Sequence, residues 1–411
     1  MRQRRRKINW FFIAVLVLLI AAVTYMDRFV LTVETSPFLP SPTHTREPES
    51  YVTEAEALFD EGKFDDAISV YMEAIRLNPG DSALYAAVAR VQIFAGRYED
   101  ALLNTEYALL LNADNSMTHA LHGWALTQQG DYIGADESLK TALSLDPNNG
   151  LAHAYNAFLY GQMTVENAGP YVDPVQIAIA ESQVAVQLAE NSLEAHWARG
   201  YIYYITDNRE EAILEYLKAI NINPNVSKLH LDLGVTYRAN GNIDEAIQQY
   251  TLANTLNPTD YLPDLYSSRA LIAISSFGQA SQYAESAVRD APTDPYLRGN
   301  WGYTLYKESQ LGAATEQLSL AINGGTAEDG QVIAPLEPVG GDIWLARYFY
   351  VYVILLSQDE RCAEALPLTQ VILDVFRDDP DAVYNAEYAQ GLCANAPETK
   401  STATPEPTPT P

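Results

Sequence analysis

The chain has 411 residues, with 53 acidic against 25 basic side chains and a formal charge of −28 at pH 7. Five of the cations (Arg2, Arg4, Arg5, Arg6 and Lys7) crowd the first seven positions, leaving 20 basic against 53 acidic side chains and a net of −33 in the rest, a charge that repels nucleic-acid backbones and anionic lipid. A hydrophobic content of 48% excludes wholesale disorder, and two cysteines are too few for a disulfide scaffold or a structural zinc cluster.

Residues 1–7 form a basic tip. From Ile8 to Met26 runs INWFFIAVLVLLIAAVTYM, 19 residues without a charge, with Trp10 and Tyr25 near its edges. As a helix this segment spans about 28 Å, the thickness of a hydrocarbon core, and aromatic rings favour its two interfaces. Residues 8–26 therefore read as a transmembrane signal anchor, with the cations held on the cytoplasmic side and the body extracytoplasmic. A cleaved export signal is the alternative, but the small residues from Ala21 to Thr24 make a poor cleavage site. The paired arginines could suggest twin-arginine export, although the residues after them do not strengthen that case. Residues 27–47 are expected to be a Pro-rich linker, four prolines lying between positions 34 and 50.

The body repeats itself. Ala67, Ala101, Ala135, Ala178, Ala212, Ala246, Ala280 and Ala314 are separated by 34, 34, 43, 34, 34, 34 and 34 residues. A second column seven residues later runs through Ala74, Ala108, Ala142, Ala185, Ala219, Ala253, Ala287 and Ala321. A third column of small residues, twelve before the first, runs Ala55, Ala89, Gly123, Ala157, Gly200, Gly234, Ser268 and Gly302. Pro79, Pro147, Pro224, Pro258 and Pro292 close units at one phase. Within a unit, Ile243, Ala246, Ile247, Tyr250 and Ala253 recur at helical spacing after Gly241-Asn242, and Asn257-Pro258 ends the run. Leu229, Leu233 and Tyr237 phase an earlier helix. Each unit is thus a helix–turn–helix hairpin, and only a stack of them buries the apolar faces.

Gly234, Tyr237, Gly241, Ala246, Tyr250, Ala253 and Pro258 match, in order, the signature of the tetratricopeptide repeat family, which the columns resemble across residues 48–322 as eight units. The resemblance implies an all-α solenoid, a right-handed superhelix of hairpins. Three departures stand out. Unit four has nine extra residues near 161–176, before its second helix. Asp207, Ser275 and Ser309 replace the turn glycine in units five, seven and eight. After Ala321 the phase is lost through a Gly/Pro-rich loop, 323–341. A degenerate ninth unit, with helices near 342–357 and 361–378, and a capping helix near 381–394 complete residues 342–396. Residues 397–411 hold five prolines and five threonines with position 397 included, and read as a disordered tail.

His119, His153, His196 and His230 each precede the third-column residue by four, at one site of four successive hairpins. Stacked hairpins lie about 10 Å apart, too far for a shared metal, so a packed or hydrogen-bonded imidazole is the expected role. No esterase elbow, zincin helix, phosphate loop or dinucleotide fingerprint is present, so no catalytic residue, metal or cofactor is nominated. Cys362 opens the second helix of unit nine and Cys393 closes the next helix. Antiparallel packing brings those two ends together, so a terminal disulfide is expected in an extracytoplasmic body, with two buried free thiols as the alternative.

In the family resembled, the first helix of each hairpin lines a concave groove. That position nominates Arg90, Phe94, Trp124, Phe158, Trp197, Tyr201, Tyr204, Arg238, Arg269, Tyr303 and Tyr306 as a partner-binding surface, although aromatics at this spacing also serve as core. Arginines among aromatics suit an extended peptide. The expected function is a membrane-anchored extracytoplasmic scaffold for protein or peptide partners, without catalysis. A glycan-binding or cell-envelope assembly role of the aromatic groove is the second reading, and an enzyme sited in the loop 323–341 the third.

Overall fold

The computed structural model describes residues 10–25, 47–327 and 330–395. The basic tip 1–7, nearly all of the linker 27–47 and the tail 397–411 lie outside the described residues. The chain divides into two compact units, one ending at Ser50 and one beginning at Tyr51. In the first, α1 (Trp10–Tyr25) is apolar on every side, and Thr24 Oγ1 returns a hydrogen bond to Ile20 O at 2.9 Å. Among the described residues, no helix is long and apolar enough to cross a membrane.

The second unit is an α-solenoid. Its hairpins are α2 (Pro48–Asp60) with α3 (Phe64–Leu77), α4 (Ser82–Phe94) with α5 (Tyr98–Leu111), α6 (Ser116–Gln128) with α7 (Tyr132–Leu145), and α8 (Gly150–Glu166) with α9 (Pro174–Leu188). Then come α10 (Leu193–Ile205) with α11 (Arg209–Ile222), α12 (Ser227–Ala239) with α13 (Ile243–Leu256), α14 (Leu262–Ala273) with α15 (Phe277–Asp290), and α16 (Pro295–Lys307) with α17 (Leu311–Asn323). Side chains at the helix starts take up free backbone N–H groups: Asp81, Asn115, Asp131, Asn149, Ser192 and Asp294 each accept from the first turn.

The small-residue columns mark the closest approaches. The first two alanine columns are 0–1% exposed along α3–α17. The third column lies between the two helices of one hairpin: a Cβ on Gly123 would sit 2.6 Å from Leu139, on Gly234 2.6 Å from Tyr250, and on Gly302 2.7 Å from Leu318. At the tight turns Gly62, Gly96, Gly130 and Gly241 adopt φ between 74° and 85°, and Asp207, Ser275 and Ser309 are forced into the same left-handed region at 60–66°.

The nine extra residues of unit four are split. Helix α8 runs 17 residues where α6 runs 13, and the turn to α9 is longer. That turn folds back onto α7: Tyr171 and Tyr160 both donate to Asp136 at 2.7 Å, and Lys140 reaches Asp136 at 2.7 Å. The loop 323–341 holds a short antiparallel ladder, β1 (Gly325–Thr326) with β2 (Val332–Ile333), and buries Ile333. The expected ninth unit and cap are α18 (Ile343–Gln358), α19 (Cys362–Val375) and α20 (Pro380–Ala394). Helix α19 stops three residues short of position 378, because Phe376 starts the turn that receives the Asp379 N–H. Cys362 and Cys393 are joined, with Cα atoms 5.5 Å apart.

Candidate partner-binding surface

The inner helices α2, α4, α6, α8, α10, α12, α14 and α16 place the candidate residues on one wall, but that wall has two parts with different fates. In its first part the solenoid closes on itself. Arg90 on α4 reaches Glu194 on α10, 104 residues away, with Nε and Nη2 at 2.7 and 2.6 Å from Oε1. Asn225 Nδ2 donates to Asp60 O at 2.7 Å, and Asn223 Nδ2 to Phe59 O at 3.4 Å. A Cβ on Gly62 would lie 2.5 Å from Asn225 O, so the unit-one turn and the start of unit six are in backbone contact.

This closure fills the space that a groove would occupy. The Arg90 guanidinium lies 4.6 Å above Phe59 and 5.3 Å above Phe94. Phe94 meets Trp124 at 5.3 Å and Trp197 at 5.9 Å, and Trp197 meets Phe158 at 5.3 Å. Trp124 stacks on Tyr155 at 4.4 Å, and Phe158 on Tyr201 at 5.6 Å. Trp124, Phe158 and Trp197 are 2%, 5% and 8% exposed, so these three expected groove residues are core. The physical reason is that rings projecting from successive inner helices of one tight turn meet across its axis. Trp197 also spends its only donor inside the fold, on Asp232 at 2.8 Å, and Asp232 accepts Lys228 at 2.6 Å. Two clefts stay open beside the closure, one of about 820 Å³ bordered by Glu56, Phe59, Tyr71, Arg90 and Glu194, and one of about 620 Å³ bordered by Phe64, Phe94, Arg97, Tyr98, Asn225 and Lys228. Tyr204 is half-buried; burial raises its hydroxyl pKa, and nearby Arg238 opposes that rise.

The second part, from unit six onward, is built differently. Arg269 on α14 lies between two rings, 4.5 Å from Trp344 and 5.1 Å from Tyr296, and donates to Tyr348 OH at 3.0 Å. Tyr348 fills the notch left by Gly299, where a Cβ would be 2.4 Å from the Tyr348 ring. Tyr303 packs edge-on against Trp344 at 5.9 Å and is 4% exposed, so it too is largely core. Lys307 Nζ stands 5.4 Å from the Tyr303 ring and 5.9 Å from that of Tyr306. Arg238, Arg269 and Tyr306 are only partly buried. The Nε atoms of Arg238 and Arg269 are buried without a hydrogen-bond partner.

Glu194, Tyr296, Lys307 and Trp344 were not nominated from sequence. Trp344 lies on α18, in the degenerate unit where no small-residue column sets the phase. Glu194 is one carboxylate among many, and its partner is three units away along the chain though adjacent across the turn. Lys307 follows Tyr306 at the end of α16, where a charge reads as solvated.

The histidine ladder is a set of clips. Nε2 of His119, His153, His196 and His230 bonds the carbonyl six residues earlier, at 2.9, 3.0, 2.7 and 2.8 Å. Nδ1 of His153, His196 and His230 bonds Glu181, Glu215 and Gln249 on the paired outer helix. Tyr85 and Arg298 hold the same position in units two and eight and reach Pro79 O and Pro292 O in the same way. Hydrogen bonds donated to the Glu181 and Glu215 carboxylates raise the pKa of His153 and His196. Among the described residues no cluster of histidine, cysteine or carboxylate side chains could hold a metal ion.

The geometry defines a class first: a solenoid of stacked helix hairpins whose early units close across their axis. Tetratricopeptide repeat models match residues 58–121, 118–149 with 193–226, and 215–248, which supports that family for the solenoid. Unit four, with its extra residues, falls between the matches. No curated protein matches the chain. Among solved structures, a tetratricopeptide repeat protein from Parabacteroides merdae is 16% identical over 63% of this chain and 98% of that one, with a TM-score of 0.41. Pseudomonas aeruginosa PilF is 18% identical over 49% and 88%, with a TM-score of 0.42. Human IFIT1 in complex with m7Gppp-AAAA is 18% identical over 75% and 78%, with a TM-score of 0.47.

Proposed function

We propose that this protein is a non-catalytic scaffold, anchored by residues 8–26 with its repeats outside the cytoplasm, that holds a protein or peptide partner on the inner wall of units six to nine. The observation that carries this reading is the mostly buried Arg269, held between Tyr296 and Trp344 with part of its side chain still reached by water. A guanidinium fixed between two rings is pre-organised to meet a partner at little cost in side-chain entropy. The anchor rests on the uncharged run around α1 and the five cations before it. The joined Cys362 and Cys393 accord with an oxidising compartment.

Affinity capture from detergent-solubilised membranes tests the reading. A protein partner is expected with the native chain, lost on Trp344→Ala and kept on Tyr107→Ala, a change on the exposed outer face. Retention on purified wall polysaccharide with no protein recovered would instead support the glycan reading. Release of the chain from membranes by alkaline carbonate would remove the anchor from the proposal.

A further inference from the structure

The larger cleft beside the closure, about 820 Å³, is shared between distant parts of the chain. Unit one contributes Glu56 and Asp60 from α2 and Tyr71 from α3. Units four and five contribute Leu188 at the end of α9, Glu190 in the turn that follows, and Ile222 at the end of α11. Arg90 and Glu194, which also border the cleft, tie these parts together.

Carboxylates without a counter-ion are ordinary in a chain of 53 acidic and 25 basic side chains, so Glu56, Asp60 and Glu190 carry little by themselves. Two observations set this place apart. Tyr71 is only 4% exposed and lines the cleft, yet its hydroxyl makes no hydrogen bond among the described residues. A phenol so deeply placed ordinarily has a partner. Burial raises its pKa to about 12; the charges of Glu56 and Asp60 act in the same direction, and Arg90 opposes them. The hydroxyl therefore stays neutral, and its oxygen is free to accept a hydrogen bond beside two carboxylates. The second observation is apolar: Leu188 and Ile222 border the same cleft and remain 44% and 43% exposed.

The sign of the missing partner follows from the charges. Glu194 is already engaged, with Oε1 on Arg90 and Oε2 accepting from Ser192 Oγ at 2.9 Å. Arg90 is thereby neutralised, and Glu56, Asp60 and Glu190 leave the rest of the cleft negative. A metal ion suits it poorly, because among the described residues no group of carboxylates converges closely enough to ligate one. An ammonium group needs no such convergence, since its three N–H donors reach separate acceptors, and the methylenes it carries cover aliphatic walls.

We propose that this cleft binds a linear aliphatic diamine or polyamine. One ammonium group is held by Glu56, Asp60 and the Tyr71 oxygen, the other by Glu190, and the methylene chain lies along Leu188 and Ile222. The site belongs to units one to five, whereas the proposed partner wall belongs to units six to nine, so each stands or falls without the other.

The test is calorimetric titration of the full chain in detergent with 1,5-diaminopentane, 1,3-diaminopropane and pentylamine. One 1,5-diaminopentane per chain is expected, bound at least about tenfold more tightly than pentylamine and more weakly as salt is added. It should also exceed 1,3-diaminopropane by up to about fourfold per added methylene. Glu56→Gln, Glu190→Gln and Tyr71→Phe are each expected to weaken it about tenfold, the loss of one hydrogen bond to a charged group. The melting curves should not move, because none of the three removed groups has a partner within the fold. Glu137→Gln on the outer helix α7 makes the same change in net charge and should leave binding intact. No binding, equal binding of 1,5-diaminopentane and pentylamine, or no gain with chain length overturns the inference. So does a loss on Glu137→Gln as large as that on Glu56→Gln and Glu190→Gln, which would mark the binding as a response to net charge alone.

Discussion

His153 and His196 each bond through both ring nitrogens, to a carbonyl on one side and a carboxylate on the other. A ring that donates twice carries the second proton, and the bonds it donates to Glu181 and Glu215 raise both pKa values above the usual 6.5. The folded state therefore binds these protons more tightly than the unfolded one. Their stabilising effect is complete below pH 6.5 and is lost as pH rises through the raised values. Asp264, at the ladder position in unit seven, acts in the same direction. Burial pushes its carboxyl up to about 6, so its charge destabilises the fold progressively as pH rises from about 4 past 6. Glu215 has the opposite sign: although burial disfavours its charge, bonds from His196 and Lys218 hold it below 4.5, and that support is lost only in stronger acid. The solenoid is thus expected to melt at a higher temperature near pH 5.5 than at pH 8. Asp264→Asn should recover on the order of 2 kcal/mol at pH 8, and His196→Gln should flatten the dependence above pH 6.5. Thermal melts across that range decide, and a midpoint that rises with pH would contradict the assignment. The ladder itself was legible in the sequence because its spacing follows the repeat. The charge state was not, since it depends on which outer-helix residue faces each ring.

At the scale of the element, the turn residues and the terminal staple carry the predictions. Asp207, Ser275 and Ser309 sit at φ of 63°, 60° and 66° where neighbouring units have glycine. A side chain in that region costs roughly 1–2 kcal/mol, against about 0.5–1 kcal/mol of extra chain entropy lost by a glycine. Each replacement by glycine should therefore stabilise its hairpin by about 0.5–1 kcal/mol, and Gly241→Ser should destabilise by a similar amount. Urea midpoints of the four single variants measure this directly. At the other end, Cys393→Ser opens a loop of 31 residues, which in the chain-entropy model removes about 3–4 kcal/mol. In a quasi-one-dimensional stack that loss belongs to α18–α20, so faster amide exchange should appear there first and leave units two to five unchanged. The helices and their turns were readable in advance, because small residues every 34 positions and left-handed turns leave marks on residue type. The ladder of β1 with β2 was not, because two paired residues on each side leave no period to detect.

At the scale of the molecule, the closed first turn is what sequence could not supply. Arg90 was expected to face a partner and instead faces Glu194, and Trp124, Phe158 and Trp197 were expected to line a groove and instead fill it. The residue types that bind are those that pack, and nothing in their spacing says which way a superhelix closes. The closure has a thermodynamic consequence that an open array would lack. Glu194 is 3% exposed in its side chain, so removing Arg90 leaves a buried charge without its counter-ion. Breaking such a pair costs about 3–5 kcal/mol, reduced here toward about 2 because a third of the Arg90 side chain is reached by water. In an open solenoid, Arg90→Ala would loosen unit two and its immediate neighbours only. Here units one and two are bound to units five and six through Arg90, Asn223 and Asn225. Arg90→Ala should therefore speed amide exchange in α10 and at the start of α12 as well as in α2 and α4, while units seven to nine keep their native rates. A response confined to residues 48–145 would mean that the turn is open in solution, and the wall of units two to five would return as a binding groove.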